Sequence, residues 1–140
     1  MQTDKQQINF IVPSGNFGNI FSAFVAKQMG LPIGHLHIAT NSNDILKSIV
    51  DNGEMKKKSV SQTYSPSMDI QVSSNFERQI FESLNRDSKR VNEVFENFSS
   101  KGFYQFDDSV LAKFQQIYKA SSVDDNQTLE TIKYLSLIHI

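Results

Sequence analysis

The sequence predicts an α/β protein in which a partial parallel sheet, opened by a βαβ unit, is followed by a mainly helical segment. Three observations predict it. Ile8-Asn9-Phe10-Ile11-Val12 is a short apolar, β-branched run of the kind buried in a parallel sheet. A turn containing two glycines joins this run to an almost wholly apolar helical stretch, Ile20 to Met29. From Phe76 onward, apolar residues recur at helical spacing in three successive stripes.

The turn itself, Val12-Pro13-Ser14-Gly15-Asn16-Phe17-Gly18-Asn19, is the stretch around which the rest is organised. Glycine lets a ligand come close to bare backbone, and the turn opens onto a helix N-terminus, where unpaired N–H groups and the positive end of the dipole favour an anion. Strand, glycine turn and helix together have the form of a phosphate cradle. No Lys-Ser/Thr pair follows the second glycine, so it is not a Walker loop, and it does not fit G-x-G-x-x-G. Asn16 and Asn19 suit a phosphate site, because Asn accepts left-handed geometry and its amide donates to oxygen. From spacing alone a simple change of chain direction stays open.

The helix stops at Gly30-Leu31-Pro32, and Ile33 to Ala39 reads as a second strand with Leu36 and Ile38 on one side and His35 and His37 on the other. The two histidines have no third ligand candidate adjacent in sequence, so they read as strand-face residues and no metal is expected. In a parallel sheet ligands bind beyond the carboxyl ends of the strands, where Ser14 to Asn19 and Thr40 to Asn43 should both lie. Thr40-Asn41-Ser42-Asn43-Asp44 reads as loop and cap for a helix through about Asn52, with Asn43 or Asp44 capping and Gly53 ending it.

Glu54 to Lys58 reads as a charged, solvated segment. Ser65 to Asn75 reads as polar and mostly irregular, with Pro66 excluding helix before it, Asp69 a cap or turn partner and Asn75 a cap for the next helix. Three helical stripes follow: Phe76, Ile80, Phe81 and Leu84; Val91, Val94, Phe95 and Phe98, closed by Gly102; and Val110, Leu111, Phe114, Ile117 and Tyr118. A short helix over Thr128 to Lys133 comes last. Aromatic residues at this spacing are core packing.

Composition sets wide bounds. With 39% hydrophobic and 21% charged residues in 140, the chain reads as globular. A net charge of -1 gives no electrostatic reason to bind nucleic acid or an anionic membrane. Cysteine is absent, which excludes disulfides and thiolate chemistry and fits a reducing cytoplasm. No stretch is long and apolar enough to span a bilayer.

Four blocks, in order, resemble the threonine synthases: Val12 to Asn19, Ala26 to Pro32, Ala39 to Asp44, and Ser65-Pro66-Ser67-Met68-Asp69-Ile70-Gln71-Val72-Ser73-Ser74-Asn75-Phe76-Glu77-Arg78. The resemblance is strong from about Ile8 to Arg78 and thinner from there to about Tyr134. It implies a fragment of the tryptophan-synthase-β-like (fold type II) enzymes that use pyridoxal 5′-phosphate (PLP), with residues 1–134 belonging to the catalytic domain. It implies a lyase that converts O-phospho-L-homoserine and water to L-threonine and phosphate. Gly15, Asn16, Phe17, Gly18 and Asn19 would then hold the cofactor's phosphate, Phe17 through its backbone N–H. Asn41 and Asn43 would border the substrate, and Arg78 is a candidate for the substrate's phosphate or for a nearby carboxylate such as Glu77 or Glu82.

The lysine that carries PLP in this family lies N-terminal to the glycine turn, in a part of the chain not present here. Lys56, Lys57 and Lys58 stand in a solvated run without the desolvation that makes an amine reactive, so no catalytic residue is expected in this chain. The fragment alone is expected to be inactive, and the resemblance says nothing of oligomeric state. Two alternatives remain at this point: another enzyme of the same fold, such as a threonine dehydratase or cysteine synthase, which the Ser65–Arg78 block argues against, or a non-catalytic phosphate- or nucleotide-binding module.

Leu135-Ser136-Leu137-Ile138-His139-Ile140 follows Tyr134 with no cap, no turn residue and no periodicity tied to what precedes it. The family continues instead toward a histidine- and threonine-containing motif. These six residues can be encoded by CTGTCTCTTATACACATC, which reads like the end of a transposase adapter. Residues 135–140 are therefore expected to be a non-native tail on a gene fragment open at both ends, with Met1 an internal methionine and His139 without function.

Overall fold

The computed structural model describes residues 7–138. β1 (Ile8–Pro13), α1 (Gly18–Gln28) and β2 (Ile33–Thr40) form the expected unit, with β1 and β2 parallel. Ile33, Leu36, Ile38 and Thr40 of β2 are buried, and His35 and His37 alternate with the last three at half-buried positions. His37 Nε2 lies 2.8 Å from Ser121 Oγ, which gives it a structural partner. The far end of the unit is tied by Lys27, whose ammonium donates to the carbonyls of Ile33 and Gly34. Although α1 is apolar almost throughout, only Ile20 and Phe24 are buried on it, and Val25 and Met29 stay exposed.

α2 (Ile45–Asn52) buries Ile45, Leu46, Ile49 and Val50, and Gly53 ends it in left-handed geometry with its N–H on Ile49 O. Asp44 holds the cap position, but neither it nor Asn43 caps with its side chain. The Asp44 carboxylate pairs with Lys58 instead, at 2.7 Å.

The second half is less helical than its apolar spacing predicts. Glu54 to Lys58 is not simply a solvated run: β3 (Glu54–Lys56) pairs antiparallel with β4 (Phe103–Gln105), and Met55 is buried. A single-turn 3₁₀ helix covers Pro66–Met68 within the irregular stretch. α3 (Phe76–Ser83), α4 (Ser88–Lys101) and α5 (Asp108–Ile117) carry the three stripes. Tyr118 does not extend the third stripe. It opens β5 (Tyr118–Ser122), which pairs parallel with β2 to give the sheet order β1-β2-β5. The backbone turns from helix to strand at Tyr118 itself (φ -110°, ψ 146°), with no glycine or proline to mark the change.

The core is centred on a chain of aromatic rings. Phe17 meets Phe76 at 4.9 Å, Phe76 meets Phe114 at 5.7 Å, and Phe114 meets Phe106 at 5.3 Å. Tyr118 joins them from β5, its buried hydroxyl donating to Gln79 Oε1 at 2.6 Å. Burial pushes the Tyr118 phenol far above its usual range, so it stays neutral.

α6 (Asp125–Ile138) is longer than the predicted helix and begins under a cap in which Asp124 Oδ1 accepts the Gln127 N–H at 2.8 Å. It runs through Tyr134 without a break, and none of its side chains is buried as far as Ser136. His139 and Ile140 lie outside the described residues. On the other flank of the sheet, β1 has a strand partner on one side only among the described residues, and Ile8, Phe10 and Ile11 are exposed. No helix among the described residues is long and apolar enough to cross a membrane.

Candidate functional site

The parallel pairing of β1 and β2 brings their carboxyl ends to one rim of the sheet. There the chain leaves β1 in a turn pinned by the Ser14 N–H, which donates to Ala39 O at 2.9 Å. Phe17 then takes up left-handed geometry (φ 64°, ψ 1°) as the cap of α1. Such a conformation costs a non-glycine residue roughly 1–3 kcal/mol. Its ring is completely buried against Phe76 and Tyr118, and burial of a Phe side chain is worth about 1.5–3 kcal/mol with further gain from the edge-to-face contacts. The anchored ring therefore holds the turn in shape.

The result is a cleft of about 320 Å³ lined by residues 13–19 together with Ser67, Met68 and Asn75. No side chain caps α1, and its first turn carries no acidic residue. The walls hold neutral donors and no charged group, which suits an anion held by N–H groups at a helix N-terminus. Gly15 is required by close approach: a Cβ there would stand 2.9 Å from the Met68 Cα and 3.3 Å from the Ser67 carbonyl oxygen. Beside it, Asn16 Oδ1 accepts from both the N–H and the hydroxyl of Ser74, each at 2.8 Å. The segment 67–75 thus lies along the glycine turn and forms its opposite wall.

A second polar cluster holds that segment in place. Asp69 Oδ1 accepts from Asn41 Nδ2 (2.6 Å), Thr63 Oγ1 (2.7 Å) and Asn43 Nδ2 (3.1 Å), and Asp69 Oδ2 accepts from the Thr63 N–H at 3.0 Å. Asn43 also bridges to Ser61 through its N–H donor and its carbonyl acceptor, both at 2.9 Å. The Thr63 hydroxyl, its backbone N–H and the two amides hold the Asp69 carboxyl below its ordinary value of 3.8.

The structure brings Gly15, Asn16, Phe17, Gly18 and Asn19 together in the cleft. Asn41 and Asn43 are buried, and their amides are turned to Asp69, Thr63 and Ser61. Arg78 is exposed and lines a separate surface groove with Phe21, Ser74, Glu77, Phe81 and Glu82. It makes no ion pair among the described residues; Glu82 pairs with Arg86. No group of metal-ligating side chains occurs among the described residues.

No protein-family model matches the chain. Individual proteins do. The threonine synthase of Pseudomonas aeruginosa is 40% identical over 127 residues, covering 91% of this chain and 27% of that protein. Two solved structures superpose closely. The threonine synthase of yeast does so with a TM-score of 0.88 at 39% identity, over 93% of this chain and 28% of its own. The threonine synthase of Brucella melitensis, solved with PLP bound, gives 0.84 at 41% identity over 88% of this chain and 26% of its own. The chain belongs to the threonine synthase family.

It spans about a quarter of the length of the threonine synthases it matches. Three of the four blocks by which it resembles the family meet at one place: the glycine turn, the Thr40–Asp44 loop and the Ser65–Arg78 segment are joined through Asn16–Ser74 and through Asp69. Ser67, Met68 and Asn75 are cleft residues that the sequence did not reveal. Only the polar, irregular character of their segment hinted at them, and nothing local tells which wall of a fold a loop will cover.

Proposed function

We propose that this chain carries the phosphate-binding part of a cytoplasmic threonine synthase, which converts O-phospho-L-homoserine and water to L-threonine and phosphate. The carrying observation is the uncapped N-terminus of α1 facing a cleft of neutral donors at the carboxyl end of β1. A phosphate monoester fits it, and the PLP-bound Brucella relative makes PLP the ligand of choice. When bound, PLP supplies an electron sink for carbanion chemistry at the substrate's Cα and Cβ.

The chain's own residues bind and orient. The backbone N–H groups of Gly15 to Asn19 would hold the phosphate, and the buried Phe17 ring fixes the turn that carries them. Asn41 and Asn43 serve the substrate side by holding Asp69, and with it the opposite wall, in place. Tyr118 is buried in the core and does not line the cleft, and we assign no proton transfer to this chain. Residues 1–134 then belong to the catalytic domain and residues 135–140 to a non-native tail.

The test has two arms. In the first, PLP and pyridoxal, which lacks the phosphate, are titrated into the 140-residue chain while the amide resonances of residues 15–19 are followed. PLP should shift them and pyridoxal should not; equal responses sink the phosphate cradle. In the second, the longer reading frame of the source DNA is expressed and assayed with phosphohomoserine, serine and threonine. Threonine formation from phosphohomoserine by the longer protein, and none by the 140-residue chain, is expected. Turnover of serine or threonine alone would mean another enzyme of the same fold.

A further inference from the structure

Asn75 occupies the cap position of α3 without capping it. Its side chain accepts nothing from the first turn, whereas Asp87 and Asp107 cap α4 and α5 with their carboxylates. The backbone explains the difference. Asp87 (φ -82°, ψ 99°) and Asp107 (φ -69°, ψ 160°) are extended, as a side-chain cap requires, while Asn75 is helical at φ -86°, ψ -9°. Its carboxamide makes no hydrogen bond among the described residues and lines the glycine-turn cleft instead. Asn75 Nδ2 stands 3.4 Å from where a Cβ on Gly18 would be, beside the first residue of α1. Ser74, its neighbour, is locked to Asn16 by two hydrogen bonds, so the backbone that carries the amide is fixed beside the glycine turn.

We propose that Asn75 is a phosphate-binding residue, donating through Nδ2 to the same phosphate oxygens that the N-terminus of α1 faces. This rests on the phosphate reading of the cleft given above. A neutral amide suits the position: it adds a donor from the opposite wall, while a carboxylate of the same shape would put negative charge against the anion. Asparagine thus stands at a helix start where it forgoes capping.

Inorganic phosphate and PLP, titrated separately into the 140-residue chain and followed by amide resonances, test the idea. In the unsubstituted protein both the Gly18 N–H and the Asn75 side-chain NH₂ resonances should move. Asn75→Ala should weaken phosphate binding roughly tenfold, as expected for loss of one charge-assisted hydrogen bond. Asn75→Asp, which keeps the shape but sets a negative charge against the anion, should weaken it further. A residue that merely starts α3 would behave differently, with Asn75→Ala binding phosphate as well as the unsubstituted protein. If residues 15–19 respond while the Asn75 side-chain resonance is still and Asn75→Ala binds normally, the role of Asn75 is overturned and the cradle stands. If residues 15–19 do not respond in the unsubstituted protein, the cradle and the role of Asn75 fall together. The side-chain resonance needs no substitution, so a variant that fails to fold does not blunt the test.

Discussion

The rings of Phe17 and Tyr118 meet edge to face with centroids 5.5 Å apart and planes inclined at 66°. One belongs to the cap of α1 and the other to the first residue of β5, a hundred residues later in the chain. The shape of the glycine turn therefore depends on the strand that closes the sheet. Tyr118→Phe tests the separate share of the hydroxyl. It keeps the ring but removes the hydroxyl that satisfies Gln79 Oε1 in the core, and should cost about 1–3 kcal/mol in urea unfolding. A cost near zero would mean that Gln79 finds another donor.

Gly15→Ala should destabilise the protein by about 1–3 kcal/mol, because the added Cβ meets backbone rather than the yielding end of a side chain. The same substitution should push the Pro66–Met68 turn away and weaken phosphate binding. Unchanged stability and unchanged phosphate titration would show that the wall yields freely.

Asp69 gives the fold a defined response to acid. Its carboxyl is held below 3.8, so the folded state favours the charged form. That stabilisation is complete above the unfolded value and fades as pH falls through the lower folded value. Asp107, whose carboxylate is held down first by Ser109 and then by the Val110 N–H, acts in the same direction. Asp69→Asn should lower stability at pH 7, since an amide cannot accept from Thr63, Asn41 and Asn43 at once. It should also flatten the loss of stability between pH 5 and pH 2, roughly the window over which carboxylates titrate. Denaturant unfolding across that range is the measurement, and an unaltered acid slope would remove Asp69 from the account.

Removal of residues 135–140 should change stability by less than about 0.5 kcal/mol, the scale of surface changes that touch nothing buried. α6 buries no side chain as far as Ser136, and Leu135 is 49% exposed. A larger loss in thermal unfolding would show that the tail packs. Read from the source DNA, codons other than the adapter's would separately dismiss a non-native origin.

What could be read from the sequence was whatever local chemistry decides. The Ile8–Val12 run, the Gly30-Leu31-Pro32 stop, the ends at Gly53 and Gly102 and the apolar stripes of α3 and α4 all express a periodicity or a breaker within a few residues. The strands of the second half could not be read this way. Tyr118 fits the helical spacing of Phe114 and Ile117 yet is taken by β2, where it pairs with Leu36, about eighty residues earlier. Met55 looks solvated among lysines until Tyr104 pairs opposite it. The site divides similarly. The glycine turn announces itself, while Asn41, Asn43 and Asp69 look like separate caps and become one cluster only when the loops meet.

The open flank of β1 has a practical consequence for anyone who handles this chain. A strand that offers an unpaired row of backbone groups beside Ile8, Phe10 and Ile11 is a template on which a second chain can align. Overproduced alone, the 140-residue polypeptide should be prone to aggregation through that flank. Ile11 is 73% exposed, so a lysine there would cost the core nothing and should raise the concentration at which the chain sediments as a monomer. Solubility would then be limited by the exposed edge of the sheet, not by the stability of the folded core.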